Sequence, residues 1–293
     1  MKKKIYALGF FDGVHLGHQA LLAECRRLAS VLACQCAAIT FDRHPRSIFD
    51  QCPPLLISTV EDRVYWLRHF GMEQVNILPV CEEVMSTNWV AFLEGLVQNG
   101  AVGFVCGDDF RFGHHGEGNS EKLRAFCQER GFPCSIIPEQ DCNGCRISST
   151  RIRAALENSN LQEANQLLGH PYALTGNVVS GQHIGRTIGV PTANLHLPDE
   201  VLCPVFGVYA CKTTVEGATY PAVTNIGTRP TVGGQGVTVE PWLLDFQGDL
   251  YGKPLCLEFY AFLRPEKKFA DLQDLQQEIL KNAAETRKIF EKT

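Results

Sequence analysis

The stretch Ile5-Tyr6-Ala7-Leu8-Gly9-Phe10-Phe11-Asp12-Gly13-Val14-His15-Leu16-Gly17-His18 decides how this chain is read. Ile5 to Leu8 is a short apolar run of strand type, and Gln19 to Arg27 beyond it has helical spacing. Strand, glycine-punctuated turn and helix in that order direct unbonded backbone N–H groups at a phosphate. His15 and His18 stand three residues apart at the helix start, so their side chains share one face. Imidazoles beside a helix N-terminus can donate to a phosphate that gains charge during transfer. A glycine turn with two incidental surface histidines would leave the three glycines and this histidine spacing without a cause.

A length of 293 residues exceeds one typical domain and accommodates two. Apolar residues make up 45% and charged residues 20%, the balance of an ordinary soluble globular protein. The net charge of −5 gives no basic field for nucleic acid. Met1-Lys2-Lys3-Lys4 looks like the start of a signal peptide, but the apolar run before Gly9 is too short for one. No run reaches transmembrane length, so a cytoplasmic protein without a membrane partner is expected. The 13 cysteines are odd in number and follow no secretory signal, which argues against a disulfide framework. Cys142-Asn143-Gly144-Cys145 has no second Cys or His pair at zinc spacing and reads as a reduced thiol pair in a turn. Cys34, Cys36, Cys106, Cys211 and Cys256 lie in apolar runs and read as small core residues.

Strand-like and helix-like stretches alternate through the first 155 or so residues. Strands are expected at Cys36–Phe41, Gln74–Pro79, Ala101–Cys106 and Cys134–Pro138. Helices are expected at Glu61–Phe70, Trp89–Gln98, Glu121–Gly131 and Ser149–Glu157. This order predicts a Rossmann-like α/β domain, a parallel sheet with helices on both faces and ligands at the carboxyl ends of its strands. Leu161–Leu168 reads as a short helix stopped by Gly169-His170-Pro171. Beyond Tyr172 come short strands at Val178-Val179, Gly207–Thr213, Thr219–Thr224, Val237–Phe246 and Leu255–Leu263, with Gly/Pro turns between them. They predict a small antiparallel β-barrel, closed by an amphipathic helix at Asp271–Phe290. The expected division is 1–157, a linker 158–175, and 176–293.

In the first half the glycine turn has a partner in Arg146-Ile147-Ser148-Ser149-Thr150-Arg151-Ile152-Arg153. Hydroxyls there can cap a helix start or bind an anion, and arginines offer bidentate contacts to phosphate. An ordinary Ser/Thr cap with surface arginines is the alternative. The His turn and this cluster together suggest nucleotidyl transfer, in which an acceptor phosphate attacks the α-phosphate of ATP and pyrophosphate leaves. Positioning and charge neutralisation then carry catalysis, without a protein nucleophile.

Four motifs in order sharpen this: Gly9-x-Phe11-Asp12-Gly13-Val14-His15-x-Gly17-His18, Thr40-Phe41-Asp42-x-His44-Pro45, Gly107-x-Asp109-Phe110-x-Phe112-Gly113, and Ile147-Ser148-Ser149-Thr150-x-Ile152-Arg153. They resemble the FMN adenylyltransferase half of the prokaryotic bifunctional riboflavin kinase/FAD synthetases. The resemblance implies that His15, His18, Ser149 and Thr150 handle the ATP phosphates. Gly9, Phe11, Arg146 and Arg151 would assist them. It places Asp109, Phe110 and Phe112 near flavin or nucleotide, although the two phenylalanines equally read as packing under a glycine loop.

In the second half, Gly181, Gly185 and Gly189 punctuate a loop that runs through Arg186 to Pro191-Thr192-Ala193-Asn194. It is neither a Walker A nor a Rossmann fingerprint, yet its backbone can approach phosphates closely. Thr192 and Asn194 offer hard oxygen ligands for Mg²⁺ beside ATP. Glu240, in the strand Val237–Phe246, is the candidate base for a substrate hydroxyl. Gly185-Arg186 to Asn194, Gly207-Val208-Tyr209, Asn225 to Thr231, Glu240, Asp245 to Gly252 and Leu263-Arg264 to Phe269 look like riboflavin kinase. That likeness implies a six-stranded Greek-key barrel with a C-terminal helix, ATP at Gly181, Gly185, Arg186 and Thr192, and flavin at Arg264. It implies Thr192 and Asn194 on Mg²⁺–ATP, with Glu240 as base for the ribityl terminal hydroxyl.

Three departures stand out. Pro241-Trp242 replaces the usual small apolar residue and His, and a proline there predicts that Glu240 lies at an edge or a bulge. Asp62-Arg63 stands where Glu-Lys is common, and His170 where Arg is common; neither touches a catalytic role that the resemblance implies. The expected partners are riboflavin, FMN, FAD and ATP, with Mg²⁺, and no nucleic acid; weak homo-oligomerisation is compatible with the sequence. The competing readings are an adenylyltransferase with a degenerate kinase half, and a non-catalytic flavin binder.

Overall fold

The apolar run after the N-terminal lysines forms strand β1 (Lys4–Leu8), buried from Ile5 onward. Ile5 and Ala7 enter one core cluster, with Leu22, Cys25 and Trp66. Tyr6 and Leu8 enter another, with Leu93, Phe104 and Leu123. A strand buried on both faces in this way belongs inside a parallel sheet covered by helices. The computed structural model describes residues 2–180, 189–231 and 234–291, and the chain divides into two units, Met1–Ser149 and Thr150–Thr293.

In the first unit β1 is followed by α1 (Leu16–Val31), β2 (Gln35–Phe41), α2 (Val60–His69), β3 (Gln74–Leu78), α3 (Glu82–Met85), α4 (Trp89–Gln98), β4 (Ala101–Gly107), α5 (Ser120–Arg130) and β5 (Cys134–Ile137). The five strands pair in parallel in the order β3-β2-β1-β4-β5. The chain winds from β1 toward β3, then returns to the other side of β1 with β4. Between β1 and β4 therefore lies the point where the winding reverses, the usual ligand crevice of such sheets. The turn Gly9–His15 and Gly107 both sit at that end. A hairpin of β6 (Asp141–Cys142) and β7 (Cys145–Arg146) follows, with Asn143 and Gly144 both at positive φ, as a type I′ turn requires. Helix α6 (Ser149–Glu157) spans the division between the units.

The second unit continues with α7 (Leu161–Leu168), which ends on the left-handed Gly169 as its sequence predicts. Strands β8 (Tyr172–Val179), β9 (Asn194–His196), β10 (Gly207–Val215), β11 (Ala218–Thr231), β12 (Gly234–Leu243) and β13 (Pro254–Pro265) close a barrel in the order β10-β11-β12-β9-β8-β13. Every pairing is antiparallel. β10, β11 and β12 form a meander and β13 returns beside β10, which is the Greek-key order. Helix α8 (Leu272–Glu291) packs on the barrel through Ala283, against Val208 and Val223.

β8 begins well before the strand expected at Val178-Val179. Gly176, where the second domain is expected to begin, lies inside this strand, and a Cβ at this position would meet the His196 carbonyl oxygen at 2.7 Å. The glycine admits the β9 backbone rather than ending the strand. β9 itself, only three residues long, carries no periodicity to read.

Candidate active sites

The turn after β1 is built by steric necessity. A Cβ on Gly9 would stand 2.9 Å from the Phe11 ring, and Phe11, fully buried, holds a left-handed φ of 59°. His15 is the N-cap of α1: its Nδ1 accepts from the His18 N–H at 3.3 Å. A ring nitrogen that accepts carries no proton, so in neutral His15 the proton sits on Nε2. The His15 and His18 rings stack with centroids 3.6 Å apart, and Phe11 presses an edge against His18 at 5.2 Å. Burial, then the neighbouring His15 and Arg63, hold His18 well below its ordinary value of 6.5, so it is neutral at pH 7. Its Nδ1 is buried without a hydrogen-bond partner.

Asp12 fixes the turn from below. It is 1% exposed, and its carboxylate accepts from the backbone N–H of Ile57 at 2.9 Å and of Ser58 at 3.2 Å. Ser58 Oγ in turn accepts from the Gly13 N–H at 3.1 Å. Ser149 Oγ donates to the Asp12 carbonyl at 3.1 Å and brings the start of α6 to the same turn. Two motifs more than 130 residues apart thus meet at Asp12, as their reading as one site requires.

A cavity of about 420 Å³ opens beside His18. Gly9, Phe11, His18, Asp109, Phe110 and Phe112 line it, with Phe10, Phe41 and Phe92 from the surrounding elements. Phe110 and Phe112 stack at 5.7 Å, and Phe112 also belongs to the core packed against Leu93, so lining and packing coexist in one side chain. Arg146 forms ion pairs with Asp109 and Glu139, which joins a residue expected at the phosphates to one expected at the flavin. Thr150 is exposed in the first turn of α6, and Arg151 engages Glu163 at 2.7 Å.

In the barrel, Glu240 pairs with Asn225, Asn225 with Val208, and Val208 with Arg264. Residues opposite each other in antiparallel strands project to the same face. Glu240 and Arg264 therefore share one row and one face of the barrel, three strands apart. Arg264 is tied down there by Asn282 Oδ1 at 3.1 Å and by Glu278 at 3.5 Å on α8. Burial lowers the Arg264 pKa, and Glu278 acts against that.

The proline after Glu240 leaves the barrel intact. Register from β11 to β12 is continuous, so Glu240 lies neither at a bulge nor on an open edge. The Pro241 carbonyl accepts from the Ala193 N–H, which puts its missing donor on the β9 side, where, among the described residues, β12 pairs with β9 at Val239 and Leu195. Thr192 lines a small cavity with Pro241, Asp249 and Tyr251, and Asn194 opens β9 opposite Val179. Gly181, Gly185 and Arg186 lie outside the described residues.

Two buried groups were not singled out by sequence reasoning as site residues, Asp12 and Arg63. Asp12 sits in the quoted motif, but its partners lie 45 residues away. Arg63 registers in sequence only as a departure from Glu-Lys.

The FAD synthetase family model matches residues 1–151 and the riboflavin kinase model residues 168–290. The chain is 36% identical over 293 residues to the bifunctional riboflavin kinase/FMN adenylyltransferase of Listeria monocytogenes, covering 99% of this chain and 93% of that one. It is 36% identical over 291 residues to the protein of the same name from Escherichia coli, covering 98% and 92%. A solved structure named as a macrolide-efflux protein from Streptococcus pneumoniae superposes with a TM-score of 0.86 at 30% identity, over 98% of this chain and 94% of that one. Among the described residues no helix is long and apolar enough to cross a membrane.

Proposed function

We infer that this chain, which belongs to the bifunctional riboflavin kinase/FMN adenylyltransferase family, performs its two reactions on separate surfaces, each with the residues assembled above. Riboflavin kinase activity makes FMN, and FMN adenylyltransferase activity makes FAD. The observation that carries the assignment is the stacked His15–His18 pair, tied through Asp12 to Ser149 at the rim of an aromatic cavity.

In adenylyl transfer, an FMN phosphate oxygen attacks the α-phosphorus of ATP in line, the bond to the β-phosphate bridge breaks, and pyrophosphate leaves. His15 Nε2–H and the N-terminal N–H groups of α1 are the donors for the developing charge. Phe110, Phe112 and Phe92 present an apolar, aromatic wall suited to a flavin ring. Ser149 keeps the start of α6 beside the same phosphates.

In riboflavin phosphorylation, Glu240 takes the proton of the ribityl terminal hydroxyl as its oxygen attacks the γ-phosphorus, and ADP leaves. Arg264, on the same row, holds the flavin end of the substrate. The Thr192 hydroxyl and the Asn194 carbonyl are hard oxygen donors, and two such donors beside polyphosphate oxygens suit Mg²⁺. When bound, Mg²⁺ neutralises phosphate charge. Residues 1–157 and 176–293 are the proposed working domains, joined by 158–175, in a cytoplasmic enzyme.

Incubation with riboflavin, ATP and MgCl₂, followed by chromatographic separation of flavins, tests the reading. FMN should appear first and FAD after it. FAD formed from supplied FMN, with no product from riboflavin, would remove the kinase assignment.

A further inference from the structure

Arg63 on α2 is fully buried. Its Nη1 donates to Thr40 Oγ1 at 3.1 Å and to the Phe41 carbonyl at 2.7 Å, and its Cζ lies 4.4 Å from the centre of the Phe10 ring. The Thr40 hydroxyl spends its proton on the Phe10 carbonyl at 2.6 Å. A relay therefore runs from guanidinium to hydroxyl to the backbone of the glycine turn, joining the end of β2 to the end of β1. Nε and Nη2 of Arg63 are buried and make no hydrogen bond. An incompletely satisfied buried cation is a costly way to fill space, since an apolar side chain of similar volume would pack there at lower cost.

Phe10, Phe41 and His18 line the cavity, and Arg63 stands in the layer behind them. We propose that Arg63 is a positioning residue for adenylyl transfer, which fixes the Gly9–Gly13 turn through Thr40 and supplies a permanent buried positive charge near the His15–His18 pair. This inference rests on the assignment of adenylyl transfer to that pair. The charge has a second consequence, because Arg63 is one of the groups that keep His18 neutral. The titratable and charged groups near His18 are His15 on the turn and Arg63 on α2, with Asp109 and Arg111 lining the same cavity. Those facing Arg63 are Asp12, Asp42 and Glu61. Arginine suits the task better than lysine, because one planar fork reaches both Thr40 and the Phe41 carbonyl.

The test compares R63M, R63K and T40V in the full-length protein. The readouts are kcat and KM for FMN adenylylation, the NMR titration of the His18 imidazole, and urea unfolding. R63M should lower kcat about tenfold or more, the scale of a lost positioning interaction, with the ATP KM changed less than about threefold. Its His18 should titrate at higher pH than in the native protein. R63K should recover the His18 titration and part of kcat. T40V, which cuts the relay and keeps the charge, should lower kcat with the His18 titration unmoved. If R63M does not fold, R63K and T40V decide the question by themselves. A purely structural role predicts lower stability with native kcat per folded molecule and a native His18 titration in every variant, and that result overturns the proposal. H18A is run in parallel: if it too keeps native adenylylation, the assignment of the pair falls, whereas loss in H18A alone removes only the role of Arg63.

Discussion

Substitution of Asp12 probes the anchoring of the phosphate turn, and the structure sets both the size and the order of the effects. Its carboxylate is buried and accepts two backbone N–H groups, those of Ile57 and Ser58, with Ser58 Oγ a longer third partner at 3.4 Å. Most of these contacts converge on Oδ1, while Oδ2 accepts from the Ile57 N–H at 3.1 Å. Asn can place its carbonyl oxygen at the Oδ1 position and keep the main contacts. It then loses charge assistance, about 1–2 kcal/mol, and turns an amide NH₂ toward the Ile57 donor. Ala strands two buried backbone donors at about 1–3 kcal/mol each, so Asp12→Ala should cost about 2–6 kcal/mol. It also withdraws one of the three carboxylates that compensate buried Arg63. Urea unfolding followed by circular dichroism should show a transition shifted to lower urea for Asn and further for Ala. FMN adenylylation should fall with it, while riboflavin phosphorylation persists. Variants within about 0.5 kcal/mol of the native protein, or Asn less stable than Ala, would refute the geometric argument.

Three further outcomes follow from other features. Gly9→Ala pushes a methyl against the buried Phe11 ring, which is backed by His18; a loss of about 1–3 kcal/mol and of adenylylation is expected, measured by thermal unfolding and FAD formation. His18 is neutral in the folded protein and charges in the unfolded chain, so stability is full above its ordinary value of 6.5 and declines as pH falls below it. A His18→Gln variant should flatten that part of the stability–pH curve, and an unchanged slope would contradict the burial of a neutral imidazole. Burial pushes the Cys25 and Cys106 thiols up to about 12, so alkylation at pH 8, followed by mass spectrometry, should mark exposed Cys52 long before either.

Much of this architecture is legible in the sequence because its elements are locally determined. The helices Trp89–Gln98 and Leu161–Leu168 have the bounds their patterns predict, since each is framed by an Asn cap and a clear stop. The parallel sheet follows from alternation of strand and helix, and the histidine turn from its glycines. What escapes the sequence depends on distant contacts. Gly176 marks only an expected domain start until the β9 backbone is seen against it. Pro241 reads as an edge marker until its carbonyl is found on Ala193 and β12 inside a closed barrel. Asp12 reveals its work through Ile57 and Ser58, and Arg63 through Thr40 and Phe41, each more than 20 residues from its partner in the chain. The row from Glu240 to Arg264 depends on strand register, which no single strand encodes.

The central claim is that one chain holds two chemically independent sites, one on the histidine turn and one on the barrel. Glu240→Gln and His18→Ala, each incubated with riboflavin, FMN and ATP–Mg²⁺ in separate reactions and resolved on one flavin chromatogram, test it most directly. Glu240→Gln should cut FMN formation from riboflavin by about 10²–10⁴-fold, the contribution of a general base, while FAD still forms from supplied FMN. His18→Ala should accumulate FMN and stop there. Parallel loss of both products in either variant would contradict the separation of the sites.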